Sequence, residues 1–504
     1  MRRPLAGAVA LLTALLLAGC SLVPTPDTTS TPDVQGVPTA LRAFYGQRLV
    51  WRSCGNGFRC TTATAPLDWA DPSGRRIELA LTMHPASGQR IGTLFTNPGG
   101  PGASGVDFLQ QGLSLFGRDL QQRYDLVSWD PRGVGASTAV DCYGTKALDR
   151  FLFSDPDLPE GSTALRQDVE SSAKAFAQAC ADRTGPLIAH VGTADTVRDL
   201  DMLRAAVGSP KLDYLGFSYG TTIGAQYANR YPTLVGRMVL DGATDPAISS
   251  FQESLANAQA FGSSLRAYLS DCLRDSACPF RGRTVSGALD EIADLLLALR
   301  ASPIRTADGR EVNSAVLRTA IDASLYDRGS WQVLTQAFTQ LRNGDGSTAL
   351  ALADQYVDRG PTRYTSNLFE AIYAVNCLDA PVATDPAVLR KQGEAIDVVD
   401  PLRRANNTED LGDPVCANWT VPPESEPAPV TAVGSPAIVV LGSTGDPATP
   451  YRWAQALAEQ LPKGVLLTRV GQGHTAYGRG VSCIDDRVDA YLVAGTVPAA
   501  VRCA

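Results

Sequence analysis

The stretch Leu212 to Gly224, LDYLGFSYGTTIG, constrains this chain more than any other. Its centre, Gly216-Phe217-Ser218-Tyr219-Gly220, fits G-x-S-x-G, the pattern of a strand that reverses sharply into a helix around an exposed serine. Leu212, Tyr214 and Leu215 supply a buried strand before it, and TTIGAQYANRYP after it is compatible with a helix. Small residues on either side let strand and helix cross closely, and the helix N-terminus directs positive dipole at the serine hydroxyl. The pattern predicts Ser218 as a nucleophile. It also asks the rest of the chain for a base, an acid and an oxyanion hole.

The segments before the elbow supply the oxyanion hole. Ile91 to Thr96 (IGTLFT) reads as an apolar strand running into Asn97-Pro98-Gly99-Gly100-Pro101-Gly102. So many glycines and prolines fix an unusual backbone path. Beside a serine nucleophile such a loop is the expected second source of oxyanion N–H groups, with Gly100 joining Tyr219 as donor. Arg76 to His84, Tyr124 to Trp129 and Arg237 to Asp241 read as further strands, and residues 146 to 207 as largely helical. This alternation predicts a mostly parallel sheet with helices on both faces. Asp130 precedes the elbow, and its Asp-Pro-Arg-Gly context reads as a structural turn with a salt-bridged arginine rather than as the acid of a triad.

The acid and the base come late in the chain. Residues 246 to 430 are helix-rich without a convincing strand run, as in an inserted helical cap, and end in the hinge-like VPPESEPAP. The sheet then resumes. Pro436 to Gly442 leads into a turn carrying Asp446, and Gly464 to Val470 opens onto Gly471-Gln472-Gly473-His474. The order Ser218, Asp446, His474, each just past a strand end, is that of the α/β-hydrolase fold. Histidine is the side chain with the pKa to deprotonate a serine, and the chain has only three. His84 ends a strand and His190 lies in a loop, both before the elbow, so His474 is the expected base and Asp446 the group that holds its tautomer.

Composition bounds the rest. A net charge of −8 argues against nucleic acid as a partner and against an anionic surface held by charge alone. Arg2, Arg3 and the apolar run Ala6 to Leu17 read as a targeting segment over 1–20. Leu17-Ala18-Gly19-Cys20 resembles a bacterial lipobox, which would make Cys20 a lipidated anchor. Residues 21–40, rich in Pro, Thr, Ser and Asp, read as a flexible tether. The core would occupy 41–245 and 431–504, around the cap of 246–430. Of eleven cysteines, setting Cys20 aside leaves ten, an even number suited to an exported chain. Cys54 with Cys60, Cys272 with Cys278 and Cys483 with Cys503 suggest themselves; Cys142 with Cys180 and Cys377 with Cys416 would complete the set, although other pairings remain open. With no Cys-x-x-Cys and few histidines, neither a metal nor another cofactor is expected.

The segments NPGGPGASG (97–105), SWDPRGVGAS (128–137), GFSYGT (216–221), VLDGATDP (239–246), GSTGDPATP (442–450) and GQGHTAYG (471–478) resemble those of secreted actinobacterial tripeptidyl aminopeptidase-like α/β-hydrolases, relatives of the prolyl aminopeptidases. The resemblance extends from about residue 40 to the tail with Cys483 and Cys503. Pro98 stands where the prolyl relatives have histidine. The resemblance implies an exopeptidase whose peptide or protein substrate has a free N-terminus, bound by cap carboxylates. Glu370 and Asp379 in NLFEAIYAVNCLDAP are the candidates. Thr449, three residues after Asp446, is a candidate for positioning the site, a turn hydroxyl being the plainer alternative. The same triad would serve an esterase, lipase or thioesterase acting on envelope lipids or small esters, and a non-catalytic binding protein is the rival from another class.

Overall fold

The computed structural model describes residues 27–159, 161–405 and 412–504. Its main sheet contains β1 (Thr28–Thr29), β2 (Val50–Gly55), β3 (Phe58–Pro66), β4 (Arg76–His84), β5 (Gly92–Asn97), β6 (Tyr124–Trp129), β7 (Leu212–Phe217) and β8 (Val235–Asp241). A short separate hairpin, β9 (Ile304–Arg305) with β10 (Glu311–Val312), lies in the cap, and β11 (Ile438–Gly445), β12 (Gly464–Gln472) and β13 (Val501–Cys503) return to the main sheet. The strand order is β1-β2-β3-β4-β6-β5-β7-β8-β11-β12-β13. The first four strands and the β4–β6 pair are antiparallel, and every pairing from β6 to β13 is parallel. This is the α/β-hydrolase fold.

Alternation along the buried strands explains how the sheet is covered on both faces. Phe95, Val127, Tyr214, Met238 and Val440 join one apolar cluster, while their neighbours Leu94, Leu126, Leu215, Val239 and Val439 join the other. From β5 the chain steps outward to β6, then crosses to the other side of β5 to make β7. That reversal opens a crevice at the C-terminal strand ends, where ligands bind in sheets of this kind. Register brings the site loops together there. Asn97 lies opposite Gly216, Phe217 opposite Asp241, and Gly445 opposite Gln472.

The segment between β8 and β11 is helical, with the helices Ser250–Cys272, Val285–Ala301, Ser314–Leu325, Trp331–Leu341, Ser347–Tyr356, Leu368–Asp379 and Pro386–Val399. Leu269, Ile292, Leu296, Leu317, Leu334 and Phe338 give it an apolar core of its own. The Leu368–Asp379 helix is clamped to the sheet domain. Asn367 accepts from the Gly135 N–H at 3.0 Å and donates to the Gly133 and Val140 carbonyls at 2.8 Å each.

One sequence expectation changes, and one pair of strands is added. The later part of the 21–40 tether packs on the core: β1 pairs with β2, the Asp33 N–H donates to the Ala205 carbonyl, and Val37 is buried. Its polar composition hid this, because backbone hydrogen bonds rather than apolar side chains secure most of it. The disulfide-stapled segment after residue 41 is a pair of strands, β2 and β3. β2 is almost wholly exposed, so no apolar alternation marks it. The cysteines pair as 54–60, 142–180, 272–278, 377–416 and 483–503. Bridging on this scale is the state of a chain exported to an oxidising compartment. Cys20 and the targeting segment lie outside the described residues.

Candidate active site

Ser218 sits between β7 and the helix Tyr219–Arg230 with φ 53° and ψ −127°, a conformation costly for any side-chain-bearing residue. The surroundings hold it there. Its N–H donates to the Asp241 carbonyl at the end of β8, 2.9 Å away. Gly220 admits the close crossing, since a methyl there would stand 2.7 Å from the Asn97 carbonyl oxygen. Gly99, with φ +98°, lies directly on the elbow. A methyl on it would meet the Phe217 carbonyl oxygen at 2.6 Å and both Ser218 Cβ and the Tyr219 nitrogen at 2.8 Å. Tyr219 opens the helix, so its N–H has no intrahelical acceptor. Gly100, Pro101, Ser218 and Tyr219 line one cavity.

Asp130 braces this arrangement from below. Its buried carboxylate accepts from Ser104 Oγ at 2.7 Å, the Val106 N–H at 3.0 Å and the Ala136 N–H at 2.8 Å, tying the glycine loop to the next turn. The neighbouring arginine is paired elsewhere. Arg132, fully buried, makes two 2.7 Å bonds to Asp199 and one of 3.3 Å to Asp195. His84 packs edge-on to Phe58, and the His190 carbonyl accepts from Arg132.

At the ends of β11 and β12, Asp446 and His474 meet. His474 Nδ1 lies 2.9 Å from each Asp446 carboxylate oxygen. Those oxygens also accept from the N–H groups of Ala448 (3.0 Å), Thr449 (2.8 Å) and Thr475 (3.1 Å), which fix the orientation of the carboxylate. With Nδ1–H donated to Asp446, Nε2 is the basic nitrogen. Nε2 is buried and has no hydrogen-bond partner among the described residues. The ring lies at the end of β8, the strand paired with the serine's, because a methyl on Gly242, just past β8, would be 3.1 Å from His474 Cε1. Thr449 Oγ1 is 3.2 Å from His474 Nδ1, so its hydroxyl faces the imidazole.

Two further contacts hold the histidine loop. The His474 N–H donates to the Tyr326 carbonyl at 2.8 Å, and the Tyr326 ring stands edge-on to the imidazole, centroids 5.4 Å apart. Buried Asp241 accepts from the Ala476 and Tyr477 N–H groups, both at 2.8 Å, and burial pushes its pKa up to about 6. Thr475, next to the histidine, has φ 67°, a second strained residue at the site.

The cavity at Ser218 holds about 370 Å³ and carries the carboxylates of Asp245, Glu253, Asp379, Asp413 and Glu426, with no lysine or arginine among its lining residues. Asp245 and Asp413 are partly committed, the first to Gln460 and the second to the Cys416 N–H. Asp379 is pushed up to about 6, chiefly by burial and further by the negative charge of Glu253. Glu253 also lines the cavity and is itself solvent-exposed. The two candidate cap residues therefore separate. Asp379 lines the cavity. Glu370 does not: its buried Oε1 accepts from the Cys142 and Tyr143 N–H groups at 3.0 and 2.6 Å, which makes it a clamp between cap and core.

Comparison with known proteins agrees with this geometry. Residues 402–503 match the family model for "TAP-like protein". The chain is 35% identical over 503 residues to the serine protease Hip1 of Mycobacterium tuberculosis, covering 96% of this chain and 94% of that protein. It is 30% identical over 516 residues to a tripeptidyl aminopeptidase of Streptomyces lividans, covering 97% and 94%. A carboxylesterase B of Mycobacterium tuberculosis is 37% identical over 518 residues, covering 100% and 99%. The chain belongs to the tripeptidyl-aminopeptidase-like α/β-hydrolases. For this hydrolase, sequence reasoning missed Glu253, Glu426 and Tyr326. Glu253 stands in one cap helix and Tyr326 at the end of another, with no motif around either, and Glu426 lies in the hinge-like VPPESEPAP, whose prolines drew the eye from its acids.

Proposed function

We propose that this protein is an exported serine aminopeptidase that releases short peptides, tripeptides among them, or single residues from free N-termini. The observation that carries the reading is the sign of the cavity at Ser218: it is lined by carboxylates, with no lysine or arginine among its lining residues. Such a field attracts a substrate ammonium and disfavours a substrate carboxylate. It also suits a lipid acyl chain poorly.

Chemistry follows from the geometry. His474 Nε2 takes the proton of Ser218 Oγ as the oxygen attacks the substrate carbonyl carbon, and Asp446 stabilises the imidazolium. The N–H groups of Tyr219 and Gly100 receive the oxyanion. Collapse of the tetrahedral intermediate breaks the C–N bond, and His474 gives its proton to the leaving amine. Water, deprotonated by the same nitrogen, then attacks the acyl-enzyme and restores Ser218. Asp379 and Glu253 bind the substrate ammonium and so set how far from the N-terminus cleavage falls. Thr449 positions the imidazole through its hydroxyl.

Cys20 lipidation would tether the enzyme to the outer face of the cell membrane, and no nucleic acid partner is part of this reading. Cys20→Ala would then move the protein from the membrane fraction to the soluble one. For the activity, a fluorogenic tripeptide amide with a free N-terminus is compared with its N-acetylated twin and a short-chain ester. Cleavage of the free-amine peptide, weak cleavage of the acetylated one and loss of both in Ser218→Ala are expected. Ester cleavage without peptide cleavage would replace the reading with an esterase.

A further inference from the structure

One contact joins the amine-recognising end of the cavity to the oxyanion hole. Thr193 opens the helix Thr193–Ala206 and is buried between the cap and the elbow. Its N–H donates to Asp379 Oδ1 at 2.7 Å, and its hydroxyl donates to Asp379 Oδ2. The same hydroxyl oxygen lies 2.5 Å from the Tyr219 hydroxyl. Tyr219 carries both that phenol and the backbone N–H at the oxyanion position.

We propose that Thr193 is a positioning residue that couples occupancy of Asp379 by the substrate ammonium to the setting of Tyr219 in the oxyanion hole. The proposal rests on the aminopeptidase reading and adds to it a route by which a correct N-terminus raises kcat as well as affinity.

Donor counting gives the route a direction. An ionised carboxylate only accepts, and a threonine hydroxyl has one hydrogen. With Asp379 ionised, that hydrogen goes to Asp379, so Tyr219 O–H donates to Thr193 Oγ and all the hydrogens point toward the carboxylate. With Asp379 protonated on Oδ2, the acid donates to Thr193 Oγ, and Thr193 turns its hydrogen toward the tyrosine oxygen. The chain therefore has two polarities, chosen by the charge on Asp379, and hydrogen bonds in series strengthen one another within each. Burial and Glu253 hold the Asp379 pKa near 6, so an empty site at mildly acidic pH populates both forms. An ammonium beside the carboxylate fixes the ionised form. That holds the tyrosine side chain, and with it the first turn of the helix whose N–H receives the oxyanion, in one arrangement. At that pH a substrate without a free amine leaves the chain divided between the two polarities. The effect is a specificity device in the sense of induced fit: recognition at one end completes the catalytic arrangement at the other.

The test is steady-state kinetics, at a pH near the Asp379 value of about 6, on the full-length enzyme and its Thr193→Val, Thr193→Ser and Tyr219→Phe variants. The substrates are a free-amine tripeptide amide, its N-acetyl twin and a short-chain ester lacking an amine. Thr193→Val keeps the shape of threonine and removes only the hydroxyl. It is expected to lower kcat on the free-amine peptide by about tenfold, as for one hydrogen bond to a charged group, with a smaller change in KM. Tyr219→Phe should match it, and Thr193→Ser should restore most of the rate. Losses on the ester should be several-fold smaller than those on the peptide, because no ammonium reaches Asp379 there.

Proportionate losses on peptide and ester would overturn the proposal and leave Thr193 a packing residue. So would a change confined to KM, or failure of serine to rescue. If the wild-type enzyme cleaves the N-acetyl peptide as well as the free one, the aminopeptidase reading falls and takes the coupling with it. If wild type discriminates but the losses are uniform, the coupling alone falls.

Discussion

Replacing Gly99 by alanine tests how the glycine loop and the elbow depend on each other. The residue has φ +98°, and an added methyl would meet the Phe217 carbonyl oxygen at 2.6 Å and the Tyr219 nitrogen at 2.8 Å. Two costs follow. A left-handed backbone for alanine costs about 1–2 kcal/mol. Forcing a carbon against two backbone atoms that cannot rotate away adds about 1–3 kcal/mol as overpacking. The sum, about 2–5 kcal/mol, is a large share of the stability of a typical domain. Gly480→Ala separates the terms. It has φ +75° and nothing within 4 Å of the added methyl, so it should lose only the conformational part. Relief of the clash at Gly99 requires the loop to move off the elbow, carrying Gly100 with it. Loss of one oxyanion donor lowers kcat about 10²–10³-fold. Thermal unfolding of both variants, with kcat on the free-amine tripeptide amide, reads both effects. The reasoning fails if Gly99→Ala is no less stable than Gly480→Ala and retains wild-type kcat.

Further outcomes are expected. Asp446→Asn places an amide N–H where the Thr475 or Thr449 N–H now donates and forces the His474 proton onto Nε2, so kcat should fall about 10⁴-fold with the fold retained by circular dichroism. Asp379 is raised from the ordinary carboxylate value to about 6, so it loses its charge as pH falls through 6. KM for the free-amine peptide should therefore climb below that pH, and Asp379→Asn should raise KM and abolish this limb. For stability the sign is opposite: the shift contributes stability that is complete below 3.8 and lost as pH rises through about 6. Glu370→Gln, by contrast, should lower the unfolding temperature and leave the KM pH profile in place. Arg132→Met leaves Asp199 buried without its arginine, while Asp195 keeps Arg198, and should cost about 3–5 kcal/mol in a denaturant titration.

What the sequence made legible is what lies within a few residues of a backbone turn. The elbow at Ser218, the glycine loop at 97–102 and the turns carrying Asp446 and His474 each join a strand end to a loop of special conformation. Such conformations restrict residue type locally, through Gly99 at φ +98° or the short turn after β11. The short-range disulfides were legible for a related reason, since Cys54 and Cys60, like Cys272 and Cys278, stand six residues apart, whereas 142–180 and 377–416 span 38 and 39 residues and stayed open. Contacts that join distant segments left no such mark. Glu370 and Asp379 share one cap helix and differ in role only because Glu370 is turned onto the backbone of residues 142 and 143. Tyr326 reaches His474 through a backbone carbonyl, which any residue could supply. β2 escaped notice because all its side chains but Trp51 are solvent-exposed and its place depends on pairing with β3.

The most direct measurement is a crystal structure of the Ser218→Ala enzyme with a bound tripeptide amide carrying a free N-terminus. The ammonium is expected within about 3 Å of the Asp379 carboxylate, and the carbonyl oxygen of the scissile bond between the Tyr219 and Gly100 N–H groups. A peptide bound with its C-terminus in the acidic cavity, or with its amine in solvent, would contradict it.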